Sequence, residues 1–158
     1  MQLLKIYYAY FSPGNTTEKV VSHIASSFQN YPVESINLTD YATRQEDYYF
    51  KENELLIIGV PAYGGRVPAP VVDALRHFTG SNTPVVLVAT YGNRDIDDTL
   101  IELKKNVIDK GFIPVGAASF VCQHTFLKEC AEGRPDEEDL KMAGEFGDKL
   151  KERLRLLV

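Results

Sequence analysis

The stretch Phe11-Ser12-Pro13-Gly14-Asn15-Thr16-Thr17 combines hydroxyl donors with a backbone free to turn sharply. It follows the apolar run Leu3–Tyr10 and opens a helical pattern that begins near Glu18. A strand, a tight turn of Ser, Gly, Asn and Thr, and then a helix is an arrangement that holds a phosphate. The free N–H groups of the first helical turn point into the loop. The helix dipole adds about half a positive charge, and the hydroxyls donate the remaining hydrogen bonds. No Lys or Arg lies between Tyr10 and Glu18, so the expectation is an anion met by neutral donors alone.

Two further loops have related chemistry: Pro61-Ala62-Tyr63-Gly64-Gly65-Arg66-Val67-Pro68 and Thr90-Tyr91-Gly92-Asn93-Arg94-Asp95. Tyr63 and Tyr91 either lay their rings against a flat heteroaromatic ligand or pack the bases of their loops. Two of them at matching positions beside a phosphate-type loop favour the first reading. Gly64, Gly65 and Gly92 let backbone groups approach a ligand edge closely. Arg66 and Arg94 either balance ligand charge or stand in solvent, and Asp95 and Asp97 are expected to cap a helix starting near Ile96.

The elements that must position these loops are legible as well. Five apolar runs recur at Leu3–Tyr10, Val33–Leu38, Glu54–Val60, Pro84–Thr90 and Ile113–Val121. Leu55-Leu56-Ile57-Ile58 and Val85-Val86-Leu87-Val88 are continuously apolar, as in parallel strands covered on both faces. Helical periodicity fills Glu18–Phe28, Pro70–Phe78 and Ile96–Lys110, the last stopped by Gly111. A final helix starts at Pro135 and Asp136-Glu137-Glu138-Asp139, and ends among Lys149, Lys151, Arg153 and Arg155, complementing the dipole at both ends. Tyr41–Asn53 has no firm period and reads as irregular or a short helix. Strand–helix alternation with short connections implies right-handed crossovers and a doubly wound α/β sheet. Five strands in this length fit the order 2-1-3-4-5. Ligands of such sheets bind beyond the carboxyl ends of the strands, where all three loops lie.

The chain has 158 residues, 44% hydrophobic and 25% charged, which is expected to form a single domain spanning 1–158. A net charge of −5 argues against nucleic acid, which selects basic faces. No apolar run approaches the roughly 18 residues of a membrane span. Met1-Gln2-Leu3-Leu4-Lys5 passes into a strand pattern without a signal-peptide layout, so a cytoplasmic location is expected. Cys122 and Cys130 match no redox or metal motif, and His23, His77 and His124 form no zinc spacing, so no metal is expected.

Taken together, the three loops, with His124-Thr125-Phe126 and Gly133-Arg134-Pro135-Asp136, resemble the flavodoxin family over essentially the whole chain. They are most similar to the flavodoxin-like half of microbial proteins that fuse this domain to a ferredoxin. The resemblance implies a flavodoxin-like three-layer sandwich and a noncovalent FMN site. Ser12, Gly14, Asn15, Thr16 and Thr17 would meet the phosphate. Pro61, Ala62, Tyr63, Gly64, Gly65 and Arg66, with Thr90, Tyr91, Gly92, Asn93 and Arg94, would border the isoalloxazine ring. Two departures stand out. Gly14-Asn15 occupies the place of a Thr-Gly pair, removing one hydroxyl donor and requiring Asn15 to take a left-handed backbone, which Asn tolerates best after Gly. No iron–sulfur Cys set is present either, so a separate redox partner, a reductase or a ferredoxin, is expected.

The expected function is an FMN protein carrying electrons between redox partners, as monomer or homodimer, without a catalytic residue of its own. Two alternatives stand beside it. One is an FMN-dependent NAD(P)H:quinone-type reductase in which His124 contacts substrate or donates a proton. The other is a flavodoxin-fold binding or regulatory protein that has lost FMN.

Overall fold

The structure, a computed structural model, describes residues 2–92 and 95–156. The elements in chain order are β1 (Lys5–Tyr10), α1 (Thr16–Ala25), a 3-10 turn (Ser26–Phe28), β2 (Val33–Asn37), α2 (Tyr41–Arg44) and β3 (Tyr48–Tyr49). They continue with β4 (Glu54–Pro61), α3 (Ala69–Leu75), β5 (Phe78–Thr79), β6 (Thr83–Tyr91), α4 (Thr99–Asp109), β7 (Phe112–Val121) and α5 (Glu137–Leu156). Five strands form one parallel sheet in the order β2-β1-β4-β6-β7. Counting only those five, this is the expected order 2-1-3-4-5.

The continuous apolar runs become strands with both faces covered. Every residue of β4 is buried, and successive side chains go to opposite layers. Leu55 and Ile57 join Val86 and Val88 of β6 beneath α1 and α5, with Val20, Val21, Ile24, Leu150 and Leu154. Leu56, Ile58 and Val60 join Val85 and Leu87 on the other face, with Val71, Leu75, Leu103 and Val107 of α3 and α4. Each fully buried Leu or Ile contributes roughly 1.5–3 kcal/mol. The core therefore rests on β4 and β6, while β2 buries only Ile36. At Gly59 the approach is closest: an added Cβ would lie 2.2 Å from Val21 Cγ2. That contact seats α1 directly on β4 and so sets where its N-terminus stands.

Three expectations need correction. Within Tyr41–Asn53 the short helix is present as α2, but the stretch also holds β3, which pairs in parallel with β5 as a separate two-stranded sheet; Tyr48 opposes Phe78. Phe78 is therefore in a strand and not at the end of a helix. The helix expected from Ile96 begins at Thr99, and its N-cap Asp98 makes no side-chain capping bond. Asp95 instead accepts from Ile96 N–H at 2.7 Å, shaping the loop ahead of the helix. Helix α1 starts two residues earlier than expected, at Thr16, and Ser26–Phe28 tightens into a 3-10 turn. Among the described residues, no helix is long and apolar enough to cross a membrane.

Candidate functional site

Strands β1, β4 and β6 are neighbours in the sheet, so the loops leaving their carboxyl ends meet along one edge. In the first loop Asn15 adopts φ 64° and ψ 3°, the left-handed conformation expected of it. Asn15 N–H donates to the Ser12 carbonyl at 3.1 Å, closing the turn. Ser12 is tied on both sides: its N–H donates to Thr39 Oγ1 at 2.7 Å, and its Oγ accepts from Glu18 N–H at 3.0 Å. The Thr17 and Thr90 hydroxyls are hydrogen bonded to each other at 2.8 Å, and both residues are buried. The Ser12 and Thr17 hydroxyls are thus engaged in holding the loop in shape. Among the described residues, the amides of Gly14, Thr16 and Thr17 donate to no protein acceptor. Those amides are the donors the loop presents, and the Thr16 hydroxyl beside them lines the cleft within hydrogen-bond reach of the Cys122 thiol.

The second loop is a two-residue hairpin. Tyr63 N–H donates to Arg66 O at 2.9 Å and Arg66 N–H to Tyr63 O at 3.0 Å, across Gly64 and Gly65. Both glycines have positive φ, 58° and 75°, the signature of a type I′ turn. Gly65 has a second reason to lack a side chain: an added Cβ would lie 2.6 Å from Asp97 Cβ. Asp98 N–H donates to Gly65 O at 3.0 Å, and Ala62 N–H to Thr90 O at 2.8 Å, so the second and third loops form one unit. Arg66 lies at the outer end of the hairpin. Its guanidinium forms a two-pronged pair with Glu102 of α4, at 3.1 and 2.6 Å. The same carboxylate accepts from Val67 N–H, and the hydrogen bonds from Arg66 hold Glu102 below its ordinary carboxylate range. Asn93 and Arg94 lie outside the described residues.

Between these loops opens a cleft of about 380 Å³ lined by Thr16, Pro61–Gly64, Thr90–Gly92 and Cys122–Phe126. Tyr63 and Tyr91 are both on its wall. Tyr63 is braced edge-on by Phe11, at 6.2 Å between ring centres, and by Phe126 at 5.8 Å. A second cleft, about 450 Å³, adjoins it through Thr16 and Gln123–Thr125 and runs along Pro13–Asn15 to Lys128. The pair forms a continuous site with an aromatic end and a polar end that meets the bare amides.

The segment between β7 and α5 supplies the wall that sequence reasoning underused. His124 packs against Gly92, where an added Cβ would lie 2.7 Å from the His124 ring. Its Nδ1 accepts from Phe126 N–H at 3.1 Å and Leu127 N–H at 3.0 Å, so the neutral ring carries its proton on Nε2. Arg134 closes the segment by pairing through both guanidinium prongs with Asp139 at the start of α5. Lys128 also lines this second cleft, more than a hundred positions from the first loop in sequence. Only a fold-level contact reveals it; no local signal does.

Burial perturbs two titratable groups beside the site strongly. Burial, then the Glu18 charge, pushes the Tyr10 phenol up to about 12. Burial also pushes the Cys122 thiol up to about 12, so this cleft-lining residue stays protonated and is a poor nucleophile. Covalent thiol chemistry is thereby disfavoured, and the arrangement is suited to binding.

No family model matches the chain, and no curated protein matches it by sequence. Solved structures do match. A flavodoxin from the domain Archaea superposes with a TM-score of 0.66 at 15% identity, covering 96% of this chain and 99% of that one. Oxidised Flavodoxin 2 from Bacillus cereus gives 0.65 at 16% identity, covering 94% and 99%. The flavodoxin of Streptococcus pneumonia TIGR4 gives 0.64 at 13% identity, also covering 94% and 99%. Element order, sheet topology and these superpositions agree: the chain has the flavodoxin fold.

Proposed function

We propose that this protein binds FMN and carries electrons between redox partners. The observation that carries the reading is the junction of two clefts. One is walled by Tyr63 and Tyr91 at the end of β4 and β6, and the other is lined by Gly14 and Thr16, whose amides have no protein acceptor among the described residues. A flat heteroaromatic ring joined to a phosphate matches that pairing of walls, and the aromatic cleft is within the usual size of a ligand site.

The loop Ser12–Thr17 would hold the phosphate through the Gly14, Thr16 and Thr17 amides and the Thr16 hydroxyl, with Asn15 setting the turn that presents them. Pro61–Gly65 and Thr90–Gly92 would border the ring, with Tyr63 and Tyr91 excluding water from it. FMN, when bound, supplies the one- and two-electron redox chemistry that the side chains lack. Arg66, paired with Glu102, serves the hairpin in this reading, and Asp97 against Gly65 keeps the two ring-side loops in register. The chain is read as one domain acting with a separate partner. The loop triplet resembles the flavodoxin-like half of fusions to ferredoxin, so a ferredoxin or a reductase of ferredoxin-like partners is the class proposed.

Reduction by NAD(P)H separates the readings. Purified protein loaded with FMN should stay yellow with NAD(P)H alone and bleach when reduced ferredoxin, or NAD(P)H together with a separate flavin reductase, is added. Rapid bleaching by NAD(P)H without a partner would overturn the carrier reading in favour of a reductase.

A further inference from the structure

We propose that the segment between β7 and α5 closes the phosphate end of the site, with the Lys128 ammonium as counter-charge to the ligand's phosphate. The proposal rests on the FMN reading above and adds a residue to it from outside the phosphate loop.

The two segments face one another across the polar cleft of about 450 Å³. Pro13–Thr16 form one side, and Gln123–Thr125 with Lys128 the other. Their contact is close at one point: a Cβ added to Gly14 would lie 3.7 Å from Thr125 Oγ1. A Thr-Gly pair in place of Gly14-Asn15 would bring a side chain to this spot. The hydroxyl absent from position 14 is thus offset by Thr125, reaching in from the opposite wall.

The segment is built to stay there. Cys122 N–H donates to Tyr91 O at 2.8 Å and Gln123 N–H to Arg134 O at 2.8 Å. His124 N–H donates to Cys130 O at 3.0 Å, and Cys130 N–H to Leu127 O at 2.8 Å. His124 Nδ1 gathers the amides of Phe126 and Leu127, and the Arg134–Asp139 pair anchors the far end to α5. Lys128 is carried on the turn these bonds define. Among the described residues it is the one cation lining either cleft, and it has no ion-pair partner there.

The charge balance gives this cation a purpose. A phosphate monoester carries about −1.5 to −2 charges at neutral pH, whereas a helix N-terminus offers about +0.5. This chain has a net charge of −5 and places Glu18 in the first turn of α1. A flexible ammonium on the opposite wall offsets that repulsion and adds a charge-assisted hydrogen bond.

The test compares FMN with riboflavin, which has the same ring but no phosphate, by fluorescence quenching of wild type, Lys128→Gln and Lys128→Arg. Lys128→Gln is expected to weaken FMN roughly three- to tenfold, leave riboflavin unchanged and flatten the salt dependence of FMN binding. Lys128→Arg should keep most of the FMN preference. Equal FMN affinity in Lys128→Gln, or parallel loss of FMN and riboflavin, overturns the assignment while leaving the FMN reading intact. Failure of the wild type to bind FMN overturns both.

Discussion

The hydroxyls of Thr17 and Thr90, buried and 2.8 Å apart, bolt the first turn of α1 to the carboxyl end of β6. One belongs to the loop after β1 and the other to the end of β6, so a single hydrogen bond joins two of the loops that wall the clefts. The lesson for the loop is a division of labour. Ser12 and Thr17 shape it from behind, while backbone amides and Thr16 face the cleft.

Thr17→Val keeps the volume and leaves the Thr90 hydroxyl without its buried partner. It should lower stability by about 1–2 kcal/mol, measured by urea denaturation, with FMN affinity weakened less than by Thr16→Ala. Replacing both residues by Ala should weaken FMN at least tenfold, or about 1.4 kcal/mol. Unchanged affinity in the double variant would remove the phosphate assignment.

Gly65→Ala combines an unfavourable positive φ with a collision against Asp97. The hairpin and the loop after β6 should separate, weakening FMN by about tenfold while the urea midpoint falls only slightly. Titration with riboflavin checks the origin of the loss. Because Gly65 is on the ring side, riboflavin binding should fall in step with FMN.

Gly59→Ala tests the seat of α1. The added methyl would meet Val21 Cγ2 at 2.2 Å, so α1 must move off β4. Overpacking of this kind costs typically 1–3 kcal/mol, and here it should also shift the phosphate loop. Chemical denaturation and FMN titration on the same variant should both register it.

The acidic limit of the site follows from Asp139. Hydrogen bonding to Arg134 holds its carboxyl below the ordinary 3.8. A depressed carboxyl contributes stability that is present above its unfolded value and is lost as pH falls through the folded one. The segment between β7 and α5 should therefore keep its protection at pH 5 and lose it below roughly pH 4. Asp139→Asn should reproduce that loss at neutral pH. Arg134 is partly solvent-facing, so the cost should stay near 1–2 kcal/mol. Amide hydrogen exchange at Gln123 and Asp139 reads both effects.

His124 should behave as the keystone of that same segment. His124→Ala removes the acceptor for Phe126 and Leu127 N–H, and their amides should exchange much faster. His124→Asn retains a short acceptor at the Nδ1 position and should restore slow exchange. Identical exchange in all three proteins would contradict the turn described here.

Much of this architecture was readable from the chain because burial leaves a local trace. Leu55–Ile58 and Val85–Val88 are apolar without alternation because α1 and α5 cover one face and α3 and α4 the other. Asn15 at the turn announced its left-handed backbone for the same local reason. What was not readable depends on pairing across distance. The β3–β5 sheet joins two-residue strands about thirty positions apart, too short for any period to register. Arg66 finds Glu102 on α4, Thr17 finds Thr90, and Lys128 comes to line the same cleft as Gly14. None of these placements is implied by the residue's own neighbours in sequence.

Whether the joined clefts hold FMN is decided by titrating the purified protein with FMN and following flavin fluorescence. Saturable quenching of flavin fluorescence at one FMN per chain, weaker with riboflavin, is the predicted result. A colourless protein that leaves FMN fluorescence unquenched would contradict it.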